Sequence, residues 1–224
     1  GSTRPGPPGS AAEGRVRAKG PRARALTQNC AGQWLTLRNL ARAAPEPASC
    51  PEVTEEVRKA MLGETERFFE AIVAEDRSIM DFIVADFSFV NGPLAKLYGL
   101  PEIEGPDFQR VKLNPAQRGG LLTQASILTV TSYATRTSPV QRGKWILENI
   151  LDAPPPPPPA DVPALEQTAK KHPGATVRML LQEHRANPAC ASCHQSMDPL
   201  GLAFEHYDAT GRSRDKDGPF KVDA

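Results

Sequence analysis

Three residues carry most of the chemical information in this chain: Cys190, Cys193 and His194, in the run Cys190-Ala191-Ser192-Cys193-His194. Two thiols three residues apart, followed at once by an imidazole, form the C-x-x-C-H sequence that attaches c-type haem. Each part has a task. The thiols add to the two vinyl groups on one edge of a porphyrin, and the adjacent imidazole binds the iron as proximal ligand. Other readings use the same residues. A structural zinc site needs two further ligands, and neither Cys30, Cys50 nor the other histidines form a second C-x-x-C or an H-x3–5-H. A thioredoxin-like dithiol needs a βαβ setting, which Pro188-Ala189 does not supply. A plain disulfide between Cys190 and Cys193 leaves His194 without a role.

The flanks supply candidate supports. Pro199 follows within Met197-Asp198-Pro199-Leu200-Gly201, which reads as a loop. A backbone carbonyl there is placed to accept the Nδ1–H of His194 and fix its orientation. Leu200, Leu202, Ala203, Phe204 and Tyr207 offer an apolar wall for a macrocycle. A sixth iron ligand is not singled out. Met197 is too near His194 to reach the opposite face and reads as core. Met179, His184 and His206 are candidates, each equally at home as surface or core, and His172 sits in a solvated loop. Arg118, Arg136 and Arg142 lie in a segment dense with Thr and Ser. Arginine pairs well with carboxylates such as haem propionates. Arg136 is the preferred partner because it precedes a capped helix N-terminus, which favours an anion. The competing expectation is that these arginines pair with the chain's own acids or cap carbonyls. Cys30 and Cys50 read equally as a disulfide or as free thiols.

The elements that must position these groups are mostly helices. Ser49 and Glu52 have capping-box spacing, with Pro51 in the first turn. Val53, Val57, Ala60, Met61, Phe68, Ile72 and Val73 then recur with a period near 3.6. Asp76-Arg77-Ser78 ends this helix, and Ser78 with Asp81 caps a short second one. Asn91 caps a third, stopped by Gly99 and Pro101. Residues 105–120 read as turns, and the β-branched stretch 123–131 as a short strand. Ser138-Pro139 opens a helix running to about Leu151, and residues 176–184 form a short amphipathic helix. Six prolines at 154–159 predict an extended spacer of about 19 Å.

Composition limits the function classes. The 224 residues are 39% hydrophobic and 24% charged, with a net charge of +1. That balance gives no electrostatic case for a nucleic-acid or membrane-surface partner. No apolar run approaches the ~18 residues of a membrane span. Residues 1–25 hold six basic side chains against one acid, with five Gly and four Pro. Residues 1–29 are therefore expected to be a disordered basic tail or a sequence artefact.

Longer motifs carry a resemblance. Arg118-Gly119-Gly120-Leu121-Leu122-Thr123-Gln124-Ala125-Ser126, Thr135-Arg136-Thr137-Ser138-Pro139-Val140, Arg142-Gly143-Lys144-Trp145 and Leu147-Glu148-Asn149 before the prolines are similar to planctomycete-type cytochrome c-like multidomain proteins. So are the segment around C-x-x-C-H and Met197-Asp198-Pro199-Leu200-Gly201. Phe87, Val90, Asn91, Leu94, Ala95, Tyr98 and Gly99 resemble the domain of unknown function 1592, expected over 30–117. Residues 118–224 resemble the domain of unknown function 1588. The resemblance implies an internal fragment of a larger extracytoplasmic, periplasmic-type protein with one covalent haem c. The expected fold is mainly α: a helical domain, the polyproline spacer, and a small cytochrome c-like haem lobe over 160–224. The expected function is electron transfer with a redox partner protein or with further domains of the same chain. The alternatives are a haem-dependent oxidoreductase with an open sixth position, or an interaction module with zinc or thiols at the C-x-x-C-H.

Overall fold

A computed structural model describes residues 20–43, 50–100, 102–157, 174–186 and 188–224. Among these residues there are eight helices and two small sheets, so the fold is mainly α. The helices are α1 (Pro21–Trp34), α2 (Glu55–Ala74), α3 (Asp81–Val84), α4 (Gly92–Tyr98), α5 (Ala125–Val130), α6 (Pro139–Asn149), α7 (Val177–His184) and α8 (Pro188–Leu202). Strands β1 (Phe87–Val90) and β2 (Gln109–Lys112) pair antiparallel with Phe87 opposite Lys112, and β3 (Lys216–Asp217) pairs with β4 (Phe220–Lys221). No described helix is long and apolar enough to cross a membrane.

Local signals explain most of the helix ends. Asn91, Ser138 and Thr176 cap α4, α6 and α7, accepting from the N–H groups of Leu94, Gln141 and Met179. Gly99, with φ 71°, takes the left-handed conformation that ends α4. Helix α2 starts later than its sequence suggests. Its N-cap is Thr54, which accepts from Val57 N–H, and Glu55 and Glu56 face the positive helix end. Pro51 and Glu52 form a turn before it, and Ser49 lies outside the described residues.

Three expectations are corrected. Residues 123–131 are not a strand: a 3-10 turn (Leu121–Thr123) leads into α5. The hydroxyls that favour strands are absorbed there, with Thr131 donating to the Ile127 carbonyl at 2.7 Å and Ser126 bonded to Thr65 at 2.6 Å. Burial of Ala125, Ile127 and Leu128 then overrides propensity. Residues 105–120 include β2, whose polar Gln-Arg-Val-Lys sequence carries no alternation to reveal it. Helix α1 begins at Pro21, inside the stretch expected as a tail. Thr27, Ala31 and Leu35 form a narrow buried stripe toward α2, and Arg24 pairs with Glu70 at 2.9 Å. Residues 1–19 lie outside the described residues.

One hydrophobic cluster runs through the molecule. It joins Ala31 and Leu35 to Phe68, Phe69 and Ile72, then to Phe82, Phe87, Leu121, Ile127, Trp145 and Ile146, with Leu200 and Phe204 packed against it. Trp34 donates to the Asn149 carbonyl at 2.5 Å and Trp145 to the Thr36 hydroxyl at 3.0 Å, pinning α1 to α6. A core that spans residues 31–204 is shared across the expected boundary at residue 117. Prolines 154–157 follow α6 without a regular element, and the rest of the spacer lies outside the described residues.

Candidate functional site

Helix α8 carries the C-x-x-C-H. Spacings of three and four residues put Cys190, Cys193, His194, Met197, Asp198 and Gly201 along one side of a helix. The C-terminal half of that stripe is docked. Met197, Asp198 and Gly201 are buried, and α8 packs on α6 more extensively than any other helix pair among the described residues. The crossing depends on glycine from both sides. A Cβ at Gly143 would overlap the Met197 carbonyl, and a Cβ at Gly201 would overlap the Pro139 carbonyl. The N-terminal half of the stripe emerges half-buried with Cys190, Cys193 and His194. All four cysteines are unbridged, including Cys30 and Cys50.

His194 is oriented by its own helix. Its Nδ1 lies 2.9 Å from Asp198 Oδ1, one turn on. A carboxylate only accepts, so Nδ1 is the donor in this contact, and a neutral ring so held keeps its lone pair on Nε2. The support expected from a backbone carbonyl in a loop is therefore a carboxylate in a helix. Residues 197–201 continue α8 through Pro199, whose side chain is exposed and whose carbonyl accepts from Ala203 N–H at 3.3 Å. The i,i+4 spacing of His194 and Asp198 was visible in the sequence, but the Pro-Leu-Gly signal pointed to a loop and hid it.

Asp198 is fully buried, and its Oδ2 makes no hydrogen bond. Arg185 Nε, just past α7, lies 3.6 Å from that oxygen, at ion-pair distance. His184, in the last turn of α7, meets His194 edge to face with ring centroids 4.7 Å apart. Burial lowers the His184 pKa, aided by the neighbouring His194 and opposed by Asp198. The two rings are in direct contact, so His184 does not stand across a macrocycle from His194 unless one ring moves. Met197 is buried in the α6–α8 contact, as its core reading expected, while Met179 and His206 are exposed. His172 lies outside the described residues.

The arginines divide by burial. Arg142 is buried and donates to the carbonyls of Phe204, Tyr207 and Asp208 and to Glu205. Burial pushes its pKa down to about 10, and the Glu205 carboxyl, pushed up by its own burial, counters this. Arg118 is buried too. It donates to the carbonyls of Thr123 and Gly211 and lies 3.8 Å over the Tyr98 ring. These two fulfil the structural expectation. Arg136 is half-buried, donates to the Thr137 carbonyl at 3.0 Å and lies 4.4 Å over the Tyr133 ring.

Residues 12–100 match the family model PSD4, described as a protein of unknown function (DUF1592), and residues 118–217 match PSCyt3, described as a protein of unknown function (DUF1588). No curated protein and no solved structure matches the chain significantly. The two matches follow one another in the order read from the motifs, and the chain belongs to the proteins that join a DUF1592 domain to a DUF1588 domain.

Proposed function

We propose that the chain transfers electrons through one haem c, attached by thioethers from Cys190 and Cys193 with His194 as proximal ligand. The observation that carries this reading is the His194–Asp198 pair at 2.9 Å, which holds one ring nitrogen and leaves Nε2 without a hydrogen-bond partner among the described residues. Metal-binding histidines are held in this way by a carboxylate or carbonyl on the other nitrogen. The donor set fits the group: two unbridged, half-buried thiols three residues apart, beside an imidazole held through Nδ1 by a carboxylate. When bound, the haem supplies one-electron chemistry at iron. The chain's own residues do the rest. Cys190 and Cys193 anchor, His194 ligates, Asp198 orients it, and α6 holds α8 in place.

Arg136 is the proposed partner of a haem propionate. Thioether formation takes place outside the cytoplasm, so the reading places the protein in the periplasm or an equivalent compartment. Its partner is another redox protein or a further domain of the same chain.

The test is expression in a host with a periplasmic cytochrome c maturation system. Denatured protein should retain haem stain and gain the mass of one haem. Zinc without haem under those conditions overturns the reading. Tight binding of carbon monoxide or cyanide by the matured protein would favour the enzymatic alternative with an open sixth position.

A further inference from the structure

We propose that Asp198 and Arg185 form an opposed charge pair that sets how strongly His194 donates to iron, with Asp198 lowering the reduction potential and Arg185 raising it. The proposal rests on the haem reading, and its experiment separates the two.

Asp198 is buried more completely than holding a ring in place requires. Its side chain has no exposed surface, one oxygen 2.9 Å from His194 Nδ1, and a second oxygen with no hydrogen bond. Placing a carboxylate there is costly, and an asparagine or a main-chain carbonyl would orient the imidazole as well at less cost. The negative charge does what a neutral acceptor does not. It draws on the Nδ1 proton, makes the imidazole a more basic ligand, and so favours the more positive state of a bound metal. Burial of the carboxylate limits screening of this effect, because solvent does not reach Asp198 and touches only 15% of the His194 side chain.

Arg185 sits on the far side of the same carboxylate. Its Nε is 3.6 Å from Oδ2, outside hydrogen-bond range, and about a quarter of its side chain is exposed. It acts as a nearby positive charge more than as a bonded partner. It comes from the end of α7, whereas His194 and Asp198 both lie on α8. The contact between α7 and α8 therefore adjusts the carboxylate's hold on the ligand without touching the ligand itself. His184, also from α7, packs on His194 beside them. Asp198 and Arg185 are positioning residues, acting through His194.

The experiment compares matured holoprotein carrying Asp198→Asn or Arg185→Gln with wild type. Asparagine keeps an oxygen for Nδ1–H and removes only the charge. Asp198→Asn is expected to raise the midpoint potential by about 59 mV, a tenfold change in a one-electron equilibrium. Arg185→Gln is expected to lower it, with both thioethers intact in each variant. A merely structural role gives no shifts of opposite sign. Potentials that stay at the wild-type value, or move in the same direction, overturn the proposal. Arg185 lies at the edge of the site, so its variant remains informative if Asp198→Asn folds poorly. A second readout needs no haem: nitrogen NMR of the haem-free chain should show His194 as the Nδ1–H tautomer, and Asp198→Ala should release it. Wild-type protein that holds this tautomer but never gains haem refutes the haem reading while keeping the pairing. A His194 that shows no tautomer preference refutes the pairing itself.

Discussion

Tyr98 donates its hydroxyl to the Glu64 carboxyl at 2.6 Å, and the same hydroxyl accepts from Ala125 N–H at 2.8 Å. The first bond joins α2 to α4 within the DUF1592 match, and the second enters α5, within the DUF1588 match. Ser88 on β1 adds a bond to the other Glu64 oxygen at 2.6 Å, and Arg118 lies over the Tyr98 ring. A buried carboxyl thus sits at the seam between the two family domains.

Stability should fall as pH rises through neutrality because of Glu64. Burial raises its pKa to about 7, against the bonds from Ser88 and Tyr98, which lower it. The folded chain therefore holds this proton more tightly than the unfolded chain, whose carboxyl titrates near 4.5. The stabilisation is complete below about pH 4.5 and is lost as pH rises through about 7. In Glu64→Gln that part of the slope should vanish. Urea midpoints from pH 5 to 8 measure it; equal slopes in wild type and variant would show that Glu64 is ionised throughout.

The α6–α8 crossing should be intolerant of a single methyl. Gly143→Ala and Gly201→Ala each drive a Cβ into the opposing helix backbone, and overpacking costs about 1–3 kcal/mol. Gly32 provides the contrast. It lies in α1 with open space where a Cβ would go, so Gly32→Ala should stabilise by about 0.5–1 kcal/mol through helix propensity. Denaturant midpoints should rank Gly32→Ala above wild type and both crossing variants below it. In matured protein the crossing variants should also lose haem more readily, since α8 carries the proposed attachment residues.

Much of this arrangement was legible in the sequence where a local signal and a tertiary need coincide. Asn91, Ser138 and Thr176 cap as their types demand, and Gly99 stops its helix through a conformation few other residues adopt. The legibility failed where the cause is distant. Nothing local marks residues 125–130 as helix, because the hydroxyls of Ser126 and the following Thr131 become acceptable only once Thr65 and the Ile127 carbonyl partner them. The thiols and His194 were plain from their types. Asp198 was not, because Pro199 and Gly201 suggest a break, and what keeps α8 continuous is the packing of Gly143 and Pro139 against it.

Replacing Arg136 with Leu should lower the potential of matured protein. Of the three arginines in its segment, Arg118 and Arg142 are buried on carbonyls, and Arg136 is half-buried. It donates to the Thr137 carbonyl at 3.0 Å and lies over the Tyr133 ring, a contact worth about 0.5–1 kcal/mol near the surface, so the substitution also costs stability. On the proposed propionate role, loss of this positive charge favours the oxidised iron. A potential equal to wild type, with haem retained, would remove Arg136 from the site.

Arg142 should be the most costly arginine to remove. Its side chain is 2% exposed and spans from Ser132 to the carbonyls of Phe204, Tyr207 and Asp208, so it ties the chain leaving α8 back to α6. Arg142→Met strands those carbonyls and leaves Glu205 with Arg214, the other cation paired with it. Breaking a buried ion pair costs about 3–5 kcal/mol. Arg214 also pairs with Glu205, at 2.8 Å, but its side chain is 16% exposed and water can replace part of what it gives. Arg214→Met should therefore cost clearly less. Glu205→Gln combined with Arg142→Met should cost less than the two single changes added together, because each single change leaves the other charge buried with weaker compensation. Equal losses for the two arginines, or simple additivity with Glu205, would show that the ion pair with Glu205 adds little to what Arg142 holds through its bonds to the carbonyls.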